Sequence, residues 1–494
     1  MNYNLLKEDW IPVLYANGEW KRVGILKAFE HAHRIRQIAA TNPMDRVAIL
    51  RFLLAILYWC KGSPPETTNA DLPKSFPAEW FAKLEENREC FNLLGEGRRF
   101  FQIRKCGEAV QTKLPSNYLI HEIPTGRNAW HFRHSRDGAN GLCLACCAVG
   151  LLRLPLFATS GGRGKPPGIN AKPPLYAVPV GPSLATTLWL SWCEQPNLGT
   201  PAWESVNVEL PPTGAVPTLV GLTWLPRRVW LDDPENCSDQ CISCGREETL
   251  VRRCVFAGVG STKTGDGESS RLWSDPHVIY VRDSKGNVTS MHASDALGAP
   301  DAAAGQWARI AASMVAQREN GDITSLGWAD AIEGTRAHVW LVGFSTVQND
   351  KYLEAMEAVV DLPFDVQELS EVIARFTRWQ AQGRSLEARI QAIERPEKRG
   401  KSEKRAVSVV AAIRPHVEGL VSGLTDQLVV GGDEKWQEAA ETYRPMMSAV
   451  SKSLSPGFTV QAVQRRRQMG ALMPDVWRAT KVTKEERRKK GGAR

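Results

Sequence analysis

Apolar residues at Val47, Leu50, Leu53, Leu54 and Leu57 recur at helical spacing, just after Asn42 and Pro43. Asn accepts a backbone N–H at a helix start, and proline suits the first helical position because its missing N–H would be unpaired there. This spacing predicts a buried core helix. Upstream, Trp10, Ile11, Val13 and Tyr15 alternate with other residues. With the segment from Trp20 to Val23 they flank Asn17 and Gly18, a favoured hairpin-turn dipeptide. Residues 97–103 read as extended chain, and 105–142 as an irregular stretch with few periodic signals. Residues 151–180 are rich in Gly and Pro and poor in helix signals. Residues 184–192 are apolar again. Residues 224–231 and 278–281 read as strands, and residues 283–287 form a turn leading to Val288 and Thr289.

The last third changes character. Val366, Leu369, Ile373 and Phe376 share one helical face, and Leu386, Ile390 and Ile393 continue the pattern. A basic connector follows at residues 395–405. Helical stretches are predicted over 407–424, 434–452 and 459–473, with kinks or earlier ends at Pro415 and Pro445. Four helices with short connections predict an up-and-down bundle. The expected class is therefore α+β: a large, irregular, mixed α/β domain over residues 1–360, then a C-terminal four-helix bundle with a basic tail over 361–494.

Charge changes this picture in one place. The net charge is +8, and the tail from residue 478 to 494 holds eight Lys/Arg against two Glu. The rest of the chain is nearly balanced, which argues against a uniformly basic nucleic-acid coat. Eleven cysteines would suit a disulfide framework in a small secreted chain. Their odd number, the chain length and the lack of a leader-like start point to a reducing cytoplasm. The apolar stretch at 47–60 carries Arg51 and is too short to span a bilayer, so no membrane is expected.

Two Cys-x-x-Cys pairs carry candidate chemistry: Cys143 with Cys146, and Cys241 with Cys244, followed by Gly245 and Arg246. Each has zinc-knuckle spacing, in which a tight turn aims two thiolates at one ion. Four thiolates leave no open coordination position, so the zinc would be structural. The alternative is four buried free thiols, and Cys147 and Cys237 lie close enough to confuse the assignment. The loop Ser160, Gly161, Gly162, Arg163, Gly164 and Lys165 fails the phosphate-loop template, because Pro166 stands where a hydroxyl is required. It is a plain surface turn or a place where a backbone or base edge comes close. Lys263 sits among small polar residues, where a lysine is usually just solvated. Gln348 and Asn349 follow an apolar strand-like run, where amides usually cap a turn. There is no H-E-x-x-H, no G-x-S-x-G and no His-Asp dipeptide.

In this order, the features resemble a family. The opening Leu5, Leu6, Lys7, Glu8, Asp9, Trp10, Ile11, Pro12, Val13 looks like that of the CasA family, the large subunit of the type I-E CRISPR surveillance complex Cascade. So do Phe100, Phe101, Gln102 and Ile103, the two Cys pairs, the glycine loop and the C-terminal helices. The resemblance implies a non-catalytic subunit of an RNA-guided antiviral complex. It would recognise a protospacer-adjacent motif in the minor groove of target double-stranded DNA and help open an R-loop. It would also recruit a separate helicase–nuclease. Its implied partners are the other Cascade subunits, the guide CRISPR RNA and the target duplex. The resemblance gives Phe132 to the guide-RNA handle, where an aromatic ring can stack on a splayed base. It gives Ser160, Gly161, Gly162, Arg163 and Gly164 to DNA, although Ser160 and Arg163 depart from the all-glycine form. Lys263 becomes the minor-groove lysine, and Gln348 with Asn349 the strand-separating wedge, with the two amides in reversed order. Two rival readings are a zinc-stabilised nuclease with a diverged active site and an RNA-binding scaffold that never touches DNA.

Overall fold

The computed structural model describes residues 2–65, 75–104, 111–120, 141–157, 169, 174–204, 214–235, 237–257, 271–282, 288–292, 337–347 and 351–362, with Val460, Val463 and Gln464. The chain divides into two compact units, residues 1–298 with 313–364, and residues 299–312 with 365–494. In the second unit the described residues Val460, Val463 and Gln464 are helical and exposed. The bundle expected over 361–494 otherwise falls outside the described residues.

The first unit opens with the predicted hairpin. Strands β1 (Ile11–Tyr15) and β2 (Trp20–Val23) pair antiparallel, with Leu14 opposite Trp20 and Pro12 opposite Arg22. After the short helix α1 (Ile25–Glu30), β3 (Ile35–Ile38) joins the other edge of β1. The core helix α2 (Pro43–Lys61) starts as the sequence predicts, with the Asn42 side chain accepting the Met44 N–H. Fourteen of its nineteen residues are buried, which makes it a central helix rather than one face of a surface layer. Phe52, Phe91, Phe100, Phe101 and Trp203 form an aromatic cluster beside it, with Phe100 stacked on Phe101 at 4.5 Å between ring centres. Arranged rings of this kind add to the burial of their area.

The short helix α3 (Ala82–Glu86) leads to β4 (Gln111–Pro115), and β5 (Leu142–Cys143) runs directly into helix α4 (Leu144–Phe157). Then come β6 (Tyr176–Val180), α5 (Leu184–Ser191), β7 (Gly214–Val216), α6 (Thr218–Thr223) and β8 (Arg228–Leu231). Strands β9 (Ser238–Gln240), β10 (Glu247–Val251) and β11 (Arg253–Ala257) follow. The series ends with β12 (Arg271–Trp273), β13 (Tyr280–Arg282), β14 (Val288–Ser290), β15 (Ala337–Val347) and β16 (Lys351–Leu362). The sheets are small: β2-β1-β3, β5-β10-β9, β4-β11-β8, β16-β15-β6, and the pairs β12-β7 and β13-β14.

Four local expectations change. Residues 97–103 are not extended. The chain turns there, with Phe101 at φ 53°, and the Gln102 side chain bridges Leu93 O and Leu231 N. The stretch 105–142 contains β4 and a one-turn helix, Ser116–Leu119, because β11 supplies a strand partner that local sequence does not reveal. Residues 151–157 belong to α4 despite Gly150 and Pro155, since burial on all sides outweighs weak propensity. Residues 224–227 are not strand; Trp224 ends α6.

Two buried ion pairs tie α2 to its neighbours. Arg51 donates from Nε to Asp275 Oδ2 at 2.9 Å and from Nη2 to the same oxygen, and both residues are fully buried. Arg153 on α4 pairs with Asp45 at 2.9 Å. Breaking such a pair on one side is costly, about 3–5 kcal/mol, because an uncompensated charge is left buried. Beside Asp275, His277 is buried and its two ring nitrogens lack partners among the described residues. No helix among the described residues is long and apolar enough to cross a membrane.

Burial holds the His277 imidazole neutral, lowering its pKa to about 4. Below about pH 6.5 the unfolded chain binds a proton that the folded chain refuses. Stability should therefore fall as pH drops from about 6.5 to 4, by up to about 3 kcal/mol from this group. Thermal melts from pH 7.5 to 4.5 should show a steeper acid decline for the parent chain than for His277→Gln.

Candidate metal centre

The second Cys pair occupies the connection of a hairpin. Strands β9 and β10 pair with Glu247 opposite Gln240, and residues 241–246 join them. The link closes through Cys241 N–H to Arg246 O and Gly245 N–H to Cys241 O, each at 2.8 Å. Gly245 sits at φ 70°, in the left-handed region that glycine enters without a Cβ clash. The turn aims both sulfurs to one side.

The first pair arrives from another direction. β5 adds to the far edge of β10, with Cys143 opposite Leu250. Gly141 leads into it at φ 84°, and a Cβ there would meet Val251 O at 2.6 Å. Its carbonyl accepts the Ile242 N–H at 3.2 Å, which fastens the two loops together. Cys143 ends the strand and Cys146 lies in the first turn of α4. The first pair is thus a strand-to-helix corner, whereas the sequence suggested two equivalent knuckle turns.

The ligand atoms of Cys143, Cys146, Cys241 and Cys244 all lie within 4.8 Å of one another. Cys143 Sγ and Cys244 Sγ are 3.8 Å apart, far beyond a disulfide bond of about 2.05 Å. A tetrahedral site with Zn–S bonds of about 2.3 Å has S–S edges of about 3.8 Å. The donor set and spacing therefore fit one tetrahedral ion. Cys143 N–H donates to Cys241 Sγ at 3.3 Å, which favours a thiolate. Cys143 and Cys241 are buried, Cys146 nearly so, and Cys244 is exposed.

The charges are unevenly shared. Hydrogen bonds from Cys143 and Cys146 lower the Cys241 pKa to about 6. Those from Cys143, Cys146 and Cys241 pull Cys244 well below the thiol range. The hydrogen bond with Cys146 favours the Cys143 thiolate, but bonds with Cys241 and Cys244, together with burial, push Cys143 upward. Cys146 rises through hydrogen bonds with the other three. Four thiols this close cannot all ionise without a cation, and a divalent ion removes the conflict.

The nearby thiols do not complicate the set. Cys147 Sγ faces Leu142 O at 3.8 Å, and Cys237 is exposed, 3.7 Å from Glu235. Among the described residues the four cysteines are the only group of three or more His, Cys, Asp or Glu side chains placed to share an ion. Sequence reading missed Arg22 and Glu248 at this centre. Arg22 Nη1 meets Glu248 Oε1 at 3.0 Å, and Arg246 lies over the Trp20 ring at 5.0 Å. Period-two alternation puts Trp20 and Arg22 on one face of β2, but no local signal says what that face meets.

Phe132, Ser160, Gly161, Gly162, Arg163, Gly164, Lys263, Gln348 and Asn349 lie outside the described residues. The strands flanking the last two are described. β15 and β16 pair from Ala337 opposite Leu362 to Val347 opposite Lys351, with a register shift at Ser345/Thr346. β6 covers β15 only from His338 to Val342. At the covered end, Arg46 lies 5.1 Å over the Trp340 ring, and both Arg46 and Trp340 Nε1 reach Glu357 Oε2 at 3.2 Å.

Comparison with known proteins supplies the family. The model of CRISPR-associated protein Cse1 matches residues 4–466. The chain belongs to the Cse1 family. It is 28% identical over 311 residues to the CRISPR-associated protein CasA/Cse1 of Thermus thermophilus. That match covers 59% of this chain and spans 58% of the relative's length. The solved Thermus thermophilus CasA (Cse1) structure superposes with a TM-score of 0.67 at 18% identity, covering 96% of this chain and 99% of that one. A chain of a CRISPR RNA-guided surveillance complex also gives 0.67, at 14% identity, covering 95% and 99%. At these identities the structural matches show a shared fold. The Cse1 fold thus accounts for the mixed α/β architecture expected from the sequence.

Elemental analysis of the purified chain should find about one zinc per molecule. The variant Cys143→Ser, Cys241→Ser should lose it and melt at a lower temperature. Cys237→Ser should keep full metal content, because its sulfur lies outside the cluster.

Proposed function

We propose that this Cse1-family chain is the large, non-catalytic subunit of an RNA-guided DNA surveillance complex. The reading rests on one observation, the family match over residues 4–466. In this reading the chain recognises a short motif beside the target in double-stranded DNA. It helps to open the duplex for the guide RNA and supports recruitment of a separate helicase–nuclease.

The chemistry of the assigned residues suits these tasks. Phe132 would stack on a base of the guide-RNA handle. Ser160, Gly161, Gly162, Arg163 and Gly164 would approach the DNA backbone, and Lys263 would enter the minor groove. That groove carries a degenerate donor and acceptor code, so several motifs should be accepted. Gln348 and Asn349, in the three-residue link between β15 and β16, would separate the strands. Beyond Val342, β15 lacks a second partner among the described residues. The ribbon from Gly343 to Val347 is about 17 Å long at strand rise, enough to carry a wedge away from the sheet. The wedge must offset a few kcal/mol of lost stacking per step. Guide–target pairing then reads the sequence. The zinc would be structural, holding the elements next to Phe132, the glycine loop and Lys263.

The test is DNA binding by the assembled complex with its guide RNA. Lys263→Ala should weaken binding to duplexes that bear the correct motif, with a smaller salt dependence. Gln348→Ala with Asn349→Ala should impair strand opening, read by a fluorescent base analogue, more than initial duplex binding. Phe132→Ala should release the subunit from the complex more readily. Motif-independent binding would favour a plain scaffold. DNA cleavage by the purified chain with Mg or Mn, abolished by one carboxylate substitution, would favour a nuclease.

A further inference from the structure

A tetrathiolate around one divalent ion carries a net charge of −2, and the protein must place something against it. Arg22 is the group that does so. It comes from β2, more than a hundred residues before the first cysteine. Its side chain is 10% exposed, and its guanidinium hydrogen-bonds the Cys244 sulfur as well as Glu248. Burial pulls the Arg22 pKa down. The Cys244 hydrogen bond and the negative charges of Cys143, Cys244 and Cys146 outweigh it, and the net direction is upward. Cys244 is the exposed ligand, on the side open to water and chelators. The neighbouring pair strengthens the placement, since Trp20 on the same face of β2 lies under Arg246 of the knuckle loop. Glu248 helps to hold the guanidinium plane in position, 3.0 Å from Nη1.

We propose that Arg22 is an outer-sphere residue of the metal centre. It neutralises part of the tetrathiolate charge at Cys244 and clasps the N-terminal hairpin to the knuckle, so that metal loading and hairpin docking are coupled. This rests on the metal reading of the four cysteines. Outer-sphere partners of metal ligands commonly change affinity by about 10–100-fold. A guanidinium binds a sulfur anion through directed N–H donors, which lysine supplies only in part.

The test uses the full chain, loaded with zinc or with cobalt(II) as a spectroscopic probe. Arg22→Gln should speed metal transfer to a chromogenic chelator at least tenfold. Arg22→Lys, which keeps the charge, should fall between that variant and the parent. Glu248→Gln should release metal more slowly than Arg22→Gln. In the cobalt form, the thiolate-to-metal charge-transfer band should shift to lower energy in Arg22→Gln, because the sulfur loses its hydrogen bond. A merely structural role would leave that band in place. Full loading with parent-like release and an unmoved band would overturn the proposal alone. A parent chain that binds neither metal would overturn the metal reading with it. Release by Glu248→Gln as fast as by Arg22→Gln would assign the effect to the ion pair and contradict a role at the sulfur.

Discussion

Four sulfurs within 4.8 Å of one another are a constraint that free thiols do not satisfy comfortably. Each thiolate repels the others, and two of the four are pushed toward the thiol while two are pulled toward the thiolate. A single divalent cation turns that repulsion into cohesion. Its effect is long range in sequence, because it joins a strand-to-helix corner at residues 143–146 to a hairpin link at 241–246. Arg22 extends the same electrostatic cluster to the N-terminal hairpin.

The centre is continuous with the hydrophobic core. α4 begins at the first Cys pair and packs on α2, where Arg153 reaches Asp45. α2 in turn holds Asp275 through Arg51, and its N-terminal turn holds the β15–β16 ribbon through Arg46, Trp340 and Glu357. A chain of packed and charged contacts therefore runs from the cysteines to the base of the ribbon. In the proposed function, this frame would let short loops read DNA without a recognition helix. Loops set on a rigid scaffold commonly carry binding functions.

Parts of this were legible from residues alone. Asn17 with Gly18 marked the first hairpin, Asn42 with Pro43 marked the start of α2, and the paired cysteines marked the metal centre. These signals are local, so they survive without knowledge of the fold. Other parts needed tertiary partners. β4 is a strand because β11 pairs with it, and Phe101 takes a left-handed turn because the aromatic cluster and Gln102 fix it. α4 keeps its helix through Pro155 because it is buried throughout. Arg22 carried no signal, since alternation says only which face of β2 it occupies. The residues assigned to nucleic acid came from family resemblance, and single lysines, amides and glycines have too many ordinary uses to declare themselves.

The central claim is a closed, four-sulfur structural metal centre that braces the elements beside the proposed nucleic-acid loops. X-ray absorption at the zinc edge of the purified chain tests it most directly. The account predicts a single shell of four sulfurs at about 2.3 Å. A shell containing nitrogen or oxygen ligands, or a chain that purifies folded with no metal, would contradict it.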